Sequence, residues 1–145
     1  MFYSFLFPQS LNGSKKASSL LLGMRIVFGL LLMMHGIQKW SSFDMLAGGA
    51  FPDPLGIGSA TSVGLAIFAE LFCSIAFIVG FLYRLSMIPM IFTMLVAFIF
   101  VHKGSIAEGE LAAVYLLLFV ALYIAGPGKY SLDDCIARAL KKNKQ

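Results

Sequence analysis

Between Met24 and Trp40 the chain reads MRIVFGLLLMMHGIQKW, which places an arginine, a histidine and a lysine inside an apolar run of membrane-spanning length. A charged side chain near the middle of a bilayer costs about 3 kcal/mol on insertion scales, so such groups face a protein interior, take a partner and mark a functional site. At 100° per residue, Arg25, Gly29, Leu32, Gly36 and Lys39 fall on one stripe, with His35 on its flank. A second apolar run, from Ala60 onward, carries Glu70 near its middle with Cys73 and Ser74 one turn on. A carboxyl group in that setting can accept or donate a proton, and neighbouring basic residues can set its charge state and hydrogen-bond the polar head of a ligand.

The depths of these groups suggest a pairing. Arg25 lies roughly 10 Å from one end of its span and Glu70 roughly 20 Å from the matching end of its own. An arginine side chain bridges much of that gap, so Arg25 is expected to pair with Glu70 and to offset part of the desolvation each would suffer alone. Two blander readings stay open: a purely structural ion pair, or an Arg25 that reaches out to the headgroups beside a neutral Glu70.

His35, Gln38, Lys39, His102 and Glu110 all fall near the other ends of their helices, where they converge into a polar pocket or form a wetted belt at the membrane boundary. Two histidines and a glutamate from three different helices, with no local ligand spacing, do not argue for a metal, and none is expected. Tyr115 and Tyr123 are polar-tipped residues of the last span; packing is their usual role, and Tyr115 is carried as a ligand contact. Cys73 and Cys135 form no CxxC and have no histidine at ligand spacing, so both read as packing residues.

The composition says what must position these groups. Of 145 residues 59% are hydrophobic and only 12% charged, with a mean hydropathy of +0.88. That is too apolar for a soluble domain, whose charged share is about 25%. The chain is an all-α integral membrane protein with room for four spans of about 20 residues, forming a single transmembrane domain over 1–145. The pI near 9.2 does not point to nucleic acid, because the Lys and Arg residues flank apolar runs or cluster near the C-terminus.

Spans are expected at about 18–40, 60–83, 85–101 and 111–125. Met1 to Leu11 is aromatic and too short to cross a membrane, and reads as an interfacial anchor followed by a turn. Ser41 to Ser59 is a long Gly/Pro connection that keeps Phe43, Met45, Leu46, Phe51 and Leu55, as a loop folded over the bundle mouth would. Gly126-Pro127-Gly128 stops the last span. Ser131 then caps an amphipathic C-terminal helix at about 131–142, with Asp133 and Asp134 in its first turn, expected along the membrane surface. Lys15, Lys16, Arg84, Lys129, Arg138, Lys141, Lys142 and Lys144 fall on the side of the termini, whereas Lys39 and Lys103 fall opposite. The positive-inside rule therefore expects a multi-pass protein of the plasma (inner) membrane with both termini in the cytoplasm.

With these residues in place, the chain over roughly 20–134 resembles the DoxX family of small four-span membrane proteins. The matching elements are Arg25, the His35-Gly36-Ile37-Gln38-Lys39 segment, Glu70 in mid-span, Gly80 followed by Arg84, and the closing GPGKYSLD from Gly126 to Asp133. The resemblance implies a four-helix membrane bundle and a link to respiratory or oxidative-stress chemistry. The family takes its name from a subunit of a membrane thiosulfate:quinone oxidoreductase, and fold membership supports the architecture more than any reaction. Vitamin K epoxide reductase, another four-span bundle that uses quinones, relies on a CxxC that this chain lacks.

The leading expectation is an accessory subunit of a membrane oxidoreductase system that binds a quinone or similar small amphiphile inside the bundle. Glu70 and Arg25 form the proton-handling pair, and His35, Gln38, Lys39, His102 and Tyr115 contact the ligand. No haem, iron–sulfur or flavin motif is visible, so the chain carries no redox centre of its own and electrons come from oxidoreductase partner subunits. Two rivals use the same residues: a small transporter or proton path along the bundle axis, and a structural subunit in which the polar residues act as glue.

Overall fold

A computed structural model describes residues 14–142, so the anchor expected at Met1 to Leu11 lies outside the described residues. Four helices are long and apolar enough to cross a membrane: α1 (Lys15–Ser41), α2 (Ser59–Val79), α3 (Tyr83–Val101) and α4 (Ile106–Ala125). A fifth, α5 (Leu132–Lys142), follows. They form an up-down-up-down antiparallel bundle in which α1 packs along α2 and α3 along α4. Large apolar side chains point outward all round it, as Leu20, Leu117 and Phe92 do, and this belt is what lipid would cover.

Between lipid-coated helices no hydrophobic force drives association, so close backbone approach has to supply the contact. The stripe on α1 does this. Ser18, Leu21, Arg25, Gly29, Leu32 and Gly36 are its buried residues. A Cβ at Gly29 would meet the Ile78 side chain at 2.4 Å, and one at Gly36 would meet the Leu71 backbone nitrogen at 2.7 Å. The remaining interior is aromatic and methionine-rich. Phe77 stacks on Tyr83 and meets Phe119 edge-on, with ring centroids 5.6 Å apart in both pairs, and Met87 and Met90 are fully enclosed.

The span ends differ from the sequence reading at two places. The second span, expected to run to Tyr83, stops at Val79 because Gly80 takes a left-handed conformation (φ 70°), and Tyr83 instead opens α3. The fourth begins at Ile106, well before Leu111, with Glu108 in a first turn where the helix dipole favours an acid. The long connection contains short helical segments at Phe43–Met45 and Leu46–Ala50 before it turns over the bundle.

α5 is tied to the bundle by a residue the sequence assigned only to its own first turn. The two carboxylate oxygens of Asp133 accept the backbone N–H groups of Leu82 and Tyr83, each at 2.8 Å, and its own N–H donates to the Gly80 carbonyl at 3.0 Å. Asp133 thus caps α3 from another helix and holds Leu82 in a left-handed conformation (φ 45°) that a leucine rarely adopts. Burial pushes its carboxyl above the usual range, and the two N–H donors pull it back in part. Asp133→Ala is expected to cost about 2 kcal/mol, read as a lowered melting temperature of the purified protein.

Candidate functional site

Two polar centres lie inside the bundle, and they do not share their charges as expected. Arg25, 1% exposed, does not pair with Glu70. Its Nε donates to the Phe77 carbonyl at 3.1 Å and its Nη2 to Ile78 at 2.6 Å, while Nη1 donates to Pro127 at 2.7 Å and to Tyr130 at 2.9 Å. The reason lies in the helix ends. α2 stops at Gly80, where the last carbonyls of a helix have no partner within it, and the carbonyls of Pro127 and Tyr130 belong to the non-helical connection that follows α4. Arg25 sits level with both and supplies the missing donors, with the Tyr83 ring 5.9 Å from its guanidinium carbon. It is a structural knot, and the expected control of Glu70 by Arg25 is corrected.

Glu70 pairs with Lys39 instead. Their Nζ and Oε2 atoms are 2.5 Å apart, and the side chains are 24% and 5% exposed for the lysine and the glutamate. Two local features bring them together. Gly36 lets α1 lie directly against the Glu70–Leu71 backbone, and Lys39 follows one turn later on the same stripe. Glu70 also sits in a π-helical turn, Phe68–Phe72, a departure from the α-helix that often accompanies functional sites. His35 meets the Tyr115 ring edge-on at 6.4 Å, and both lie within electrostatic reach of Glu70.

Beside this pair is a cavity of about 500 Å³. α2 and α3 pack together along Cys73–Val79 and then diverge, and the wedge between them is the cavity. Lys39, Glu70 and His102 are its charged or titratable residues; the rest of the lining is almost entirely apolar. Phe51, Pro52, Pro54, Leu55 and Ile57 of the Gly/Pro connection line it from the loop side. Leu65, Phe68, Ile88 and Phe92 also line it and are about half exposed, so its mouth opens on the surface that faces lipid.

The loop is held down by Asp53, which the sequence reading did not single out. Its carboxylate accepts the N–H groups of Ile57 (3.0 Å) and Gly58 (2.7 Å) and the Ser62 hydroxyl (2.8 Å), tying the loop to the first turn of α2. The PDP spacing between Phe51 and Leu55 was the available signal, since aspartate favours turns that bond back to the following backbone. The Ser62 hydroxyl above all, with the Gly58 N–H, holds this carboxyl below the usual carboxylate range. A depressed folded value means the clamp is intact above the ordinary aspartate range and is lost as pH falls through the depressed one. Protection of the amides in 51–58 against hydrogen exchange is therefore expected to hold down to the free-aspartate value of about 3.9 and to be lost as pH falls below it. Asp53→Asn should show the acid pattern already at neutral pH.

Of the residues expected to form the site, Lys39, Glu70 and His102 share the cavity, and His35 and Tyr115 lie behind Glu70 on the α1 and α4 side. Gln38 does not join them: its side chain is exposed, and its carbonyl ends α1 by accepting from Ser41 and Ser42. Glu110 is exposed as well. Arg84 lies over the Tyr123 ring, 5.5 Å from its centroid. Among the described residues no three His, Cys, Asp or Glu side chains are grouped to hold a metal ion.

The DoxX family pattern matches residues 20–103, more than half of the chain. The chain belongs to the DoxX family. Every residue that lines the cavity falls within the DoxX segment, as does Arg25, whereas α4 and α5 lie beyond it. Curated relatives share most of their length with this DoxX protein. An uncharacterized membrane protein of Mycobacterium tuberculosis is 28% identical over 131 residues, covering 79% of this chain and 80% of that protein. An uncharacterized protein of Haemophilus influenzae is 31% identical over 122 residues, covering 77% of this chain and 86% of that protein. No solved structure matches.

Proposed function

We propose that this DoxX protein binds a quinone or a similar small amphiphile in the wedge between α2 and α3, as an accessory subunit of a membrane oxidoreductase system. The observation that carries the reading is a largely apolar cavity of about 500 Å³ with one acid–base pair, the buried Glu70 and the half-buried Lys39, and a mouth on the lipid-facing side. Ligand sites of this kind are concave, mostly apolar and hold few polar groups, which fix the ligand's orientation. The ligand enters from the bilayer with its chain along Leu65, Phe68 and Phe92. Its head accepts from Lys39 and, when it carries a hydroxyl as a quinol does, donates to Glu70, with His102 at the rim. Glu70 is the group that accepts or donates a proton, His35 and Tyr115 support it from behind, and electrons are exchanged with a partner subunit.

A transport path along Arg25, Glu70 and His35 is less well supported. The donors of Arg25 are taken up by four carbonyls, and the stacked rings of Phe77, Tyr83 and Phe119 fill the interior beside it. The excess of Lys and Arg where α1 begins and α4 ends favours a plasma-membrane protein with that face in the cytoplasm, and an outward C-terminal reporter would refute the orientation.

The test is photolabelling with an azido-quinone in native membranes. Adducts concentrated in 65–68 and 88–92, displaced by excess unlabelled quinone and weakened in Glu70→Gln, are expected. Adducts spread evenly over the outer faces of all four spans, with no competition, would refute the reading.

A further inference from the structure

The charge of the polar pair limits which head groups the cavity accepts. Lys39 and Glu70 touch through one short charge-assisted contact. Wherever the proton sits between them, their summed charge is zero. His102 is the one other titratable residue in the lining, and the remaining walls are apolar apart from Ser62 and Thr93. A ligand that brings a formal charge to this place finds no counter-charge left over. It would have to break the pair and leave the buried Glu70, or the half-buried Lys39 at the cavity wall, without a partner, and an unpaired charge held away from water is costly.

An uncharged head that both donates and accepts a hydrogen bond meets no such penalty, because one hydroxyl can donate to Glu70 and accept from Lys39 together. We infer that the site selects neutral, hydroxyl-bearing amphiphiles, such as quinols and long-chain alcohols, and rejects anionic and cationic chains of the same length. Selection of this kind acts by leaving wrong ligands with unpaired charge rather than by better contacts to the right one. It also ranks a quinol above its quinone, since a quinone head offers acceptors only and leaves Glu70 without a donor from the ligand. The inference rests on the amphiphile-binding reading above and narrows it.

The test is competition binding to the full chain in lipid nanodiscs at pH 8. The probes are dodecanol, dodecanesulfonate and dodecyltrimethylammonium, which share chain length and whose charges do not titrate. The alcohol is expected to bind at least about 100-fold more tightly than either ion. Glu70→Gln leaves Lys39 as an uncompensated cation, and in that variant the preference should move toward the sulfonate by tenfold or more. Equal binding of all three to the unaltered protein would overturn the inference while leaving amphiphile binding intact. Absence of binding by any of them would overturn both. The head-group series on the unaltered protein needs no variant, so it decides the matter even if Glu70→Gln does not fold.

Discussion

Arg25→Met is expected to yield a protein that inserts but does not hold its bundle, with the largest loss of stability of any single change considered. Four carbonyl oxygens, on Phe77, Ile78, Pro127 and Tyr130, lose an Arg25 donor at once, and of these the Phe77 oxygen still accepts the Gly80 N–H at 3.2 Å. Each buried acceptor left unsatisfied costs about 1–3 kcal/mol, so the change amounts to roughly 4 kcal/mol or more. Arg25→Lys should rescue little. A guanidinium spreads its donors over a planar fork that reaches carbonyls from two separate segments, whereas an ammonium places three at a single point. The check is thermal unfolding of the purified variants beside Gly23→Leu, which should melt close to the unaltered protein because nothing lies within 4 Å of a Cβ there. An Arg25→Met protein with an unchanged melting temperature would show that the carbonyls have other partners and that the knot is not structural.

The second large effect is expected from Gly36→Leu. Its Cβ alone would fall 2.7 Å from the Leu71 nitrogen and 2.9 Å from the Glu70 carbonyl carbon. These are backbone atoms, which cannot turn aside as a side-chain tip does, so α1 must move away from α2. Overpacking of this kind costs about 1–3 kcal/mol, occasionally more. The displacement acts on Lys39, one turn further along α1, and should separate it from Glu70. Gly36→Leu is therefore expected to lower both the melting temperature and ligand retention, whereas Gly23→Leu on the same helix should change neither, since nothing lies within 4 Å of a Cβ there. Equal behaviour of the two variants would mean that close approach of α1 and α2 does not build the site.

Much of this was legible in the sequence because it follows from periodicity and desolvation. The stripe of Arg25, Gly29, Leu32, Gly36 and Lys39 is a matter of angle around a helix, and it is the face α1 buries. Glu70 announced itself by the cost of an acid in mid-span, and the Gly/Pro connection by its retained apolar residues, of which Phe51 and Leu55 line the cavity. What failed was the choice of partner. Charges were matched with charges, yet the strongest claim on Arg25 came from uncharged carbonyls at the end of α2 and in the connection after α4, and a carbonyl is the same at every position in the sequence. Had α2 been seen to stop at Gly80 rather than run on to Tyr83, the orphan acceptor of Ile78 would have been placed beside Arg25. Asp53 and Asp133 were missed as clamps for a related reason: both act on backbone N–H groups, in loops and turns whose path depends on packing that sequence spacing does not encode.

The central claim is that a small amphiphile occupies the wedge between α2 and α3 with its head on Lys39 and Glu70. Mass spectrometry of the small molecules that stay with the gently purified protein tests it most directly, with Glu70→Gln as the comparison. About one molecule of a quinone, quinol or other hydroxyl-bearing amphiphile per chain, kept by the unaltered protein and lost from Glu70→Gln, is the expected result. The same bulk phospholipids in both, with no stoichiometric amphiphile in either, would contradict it.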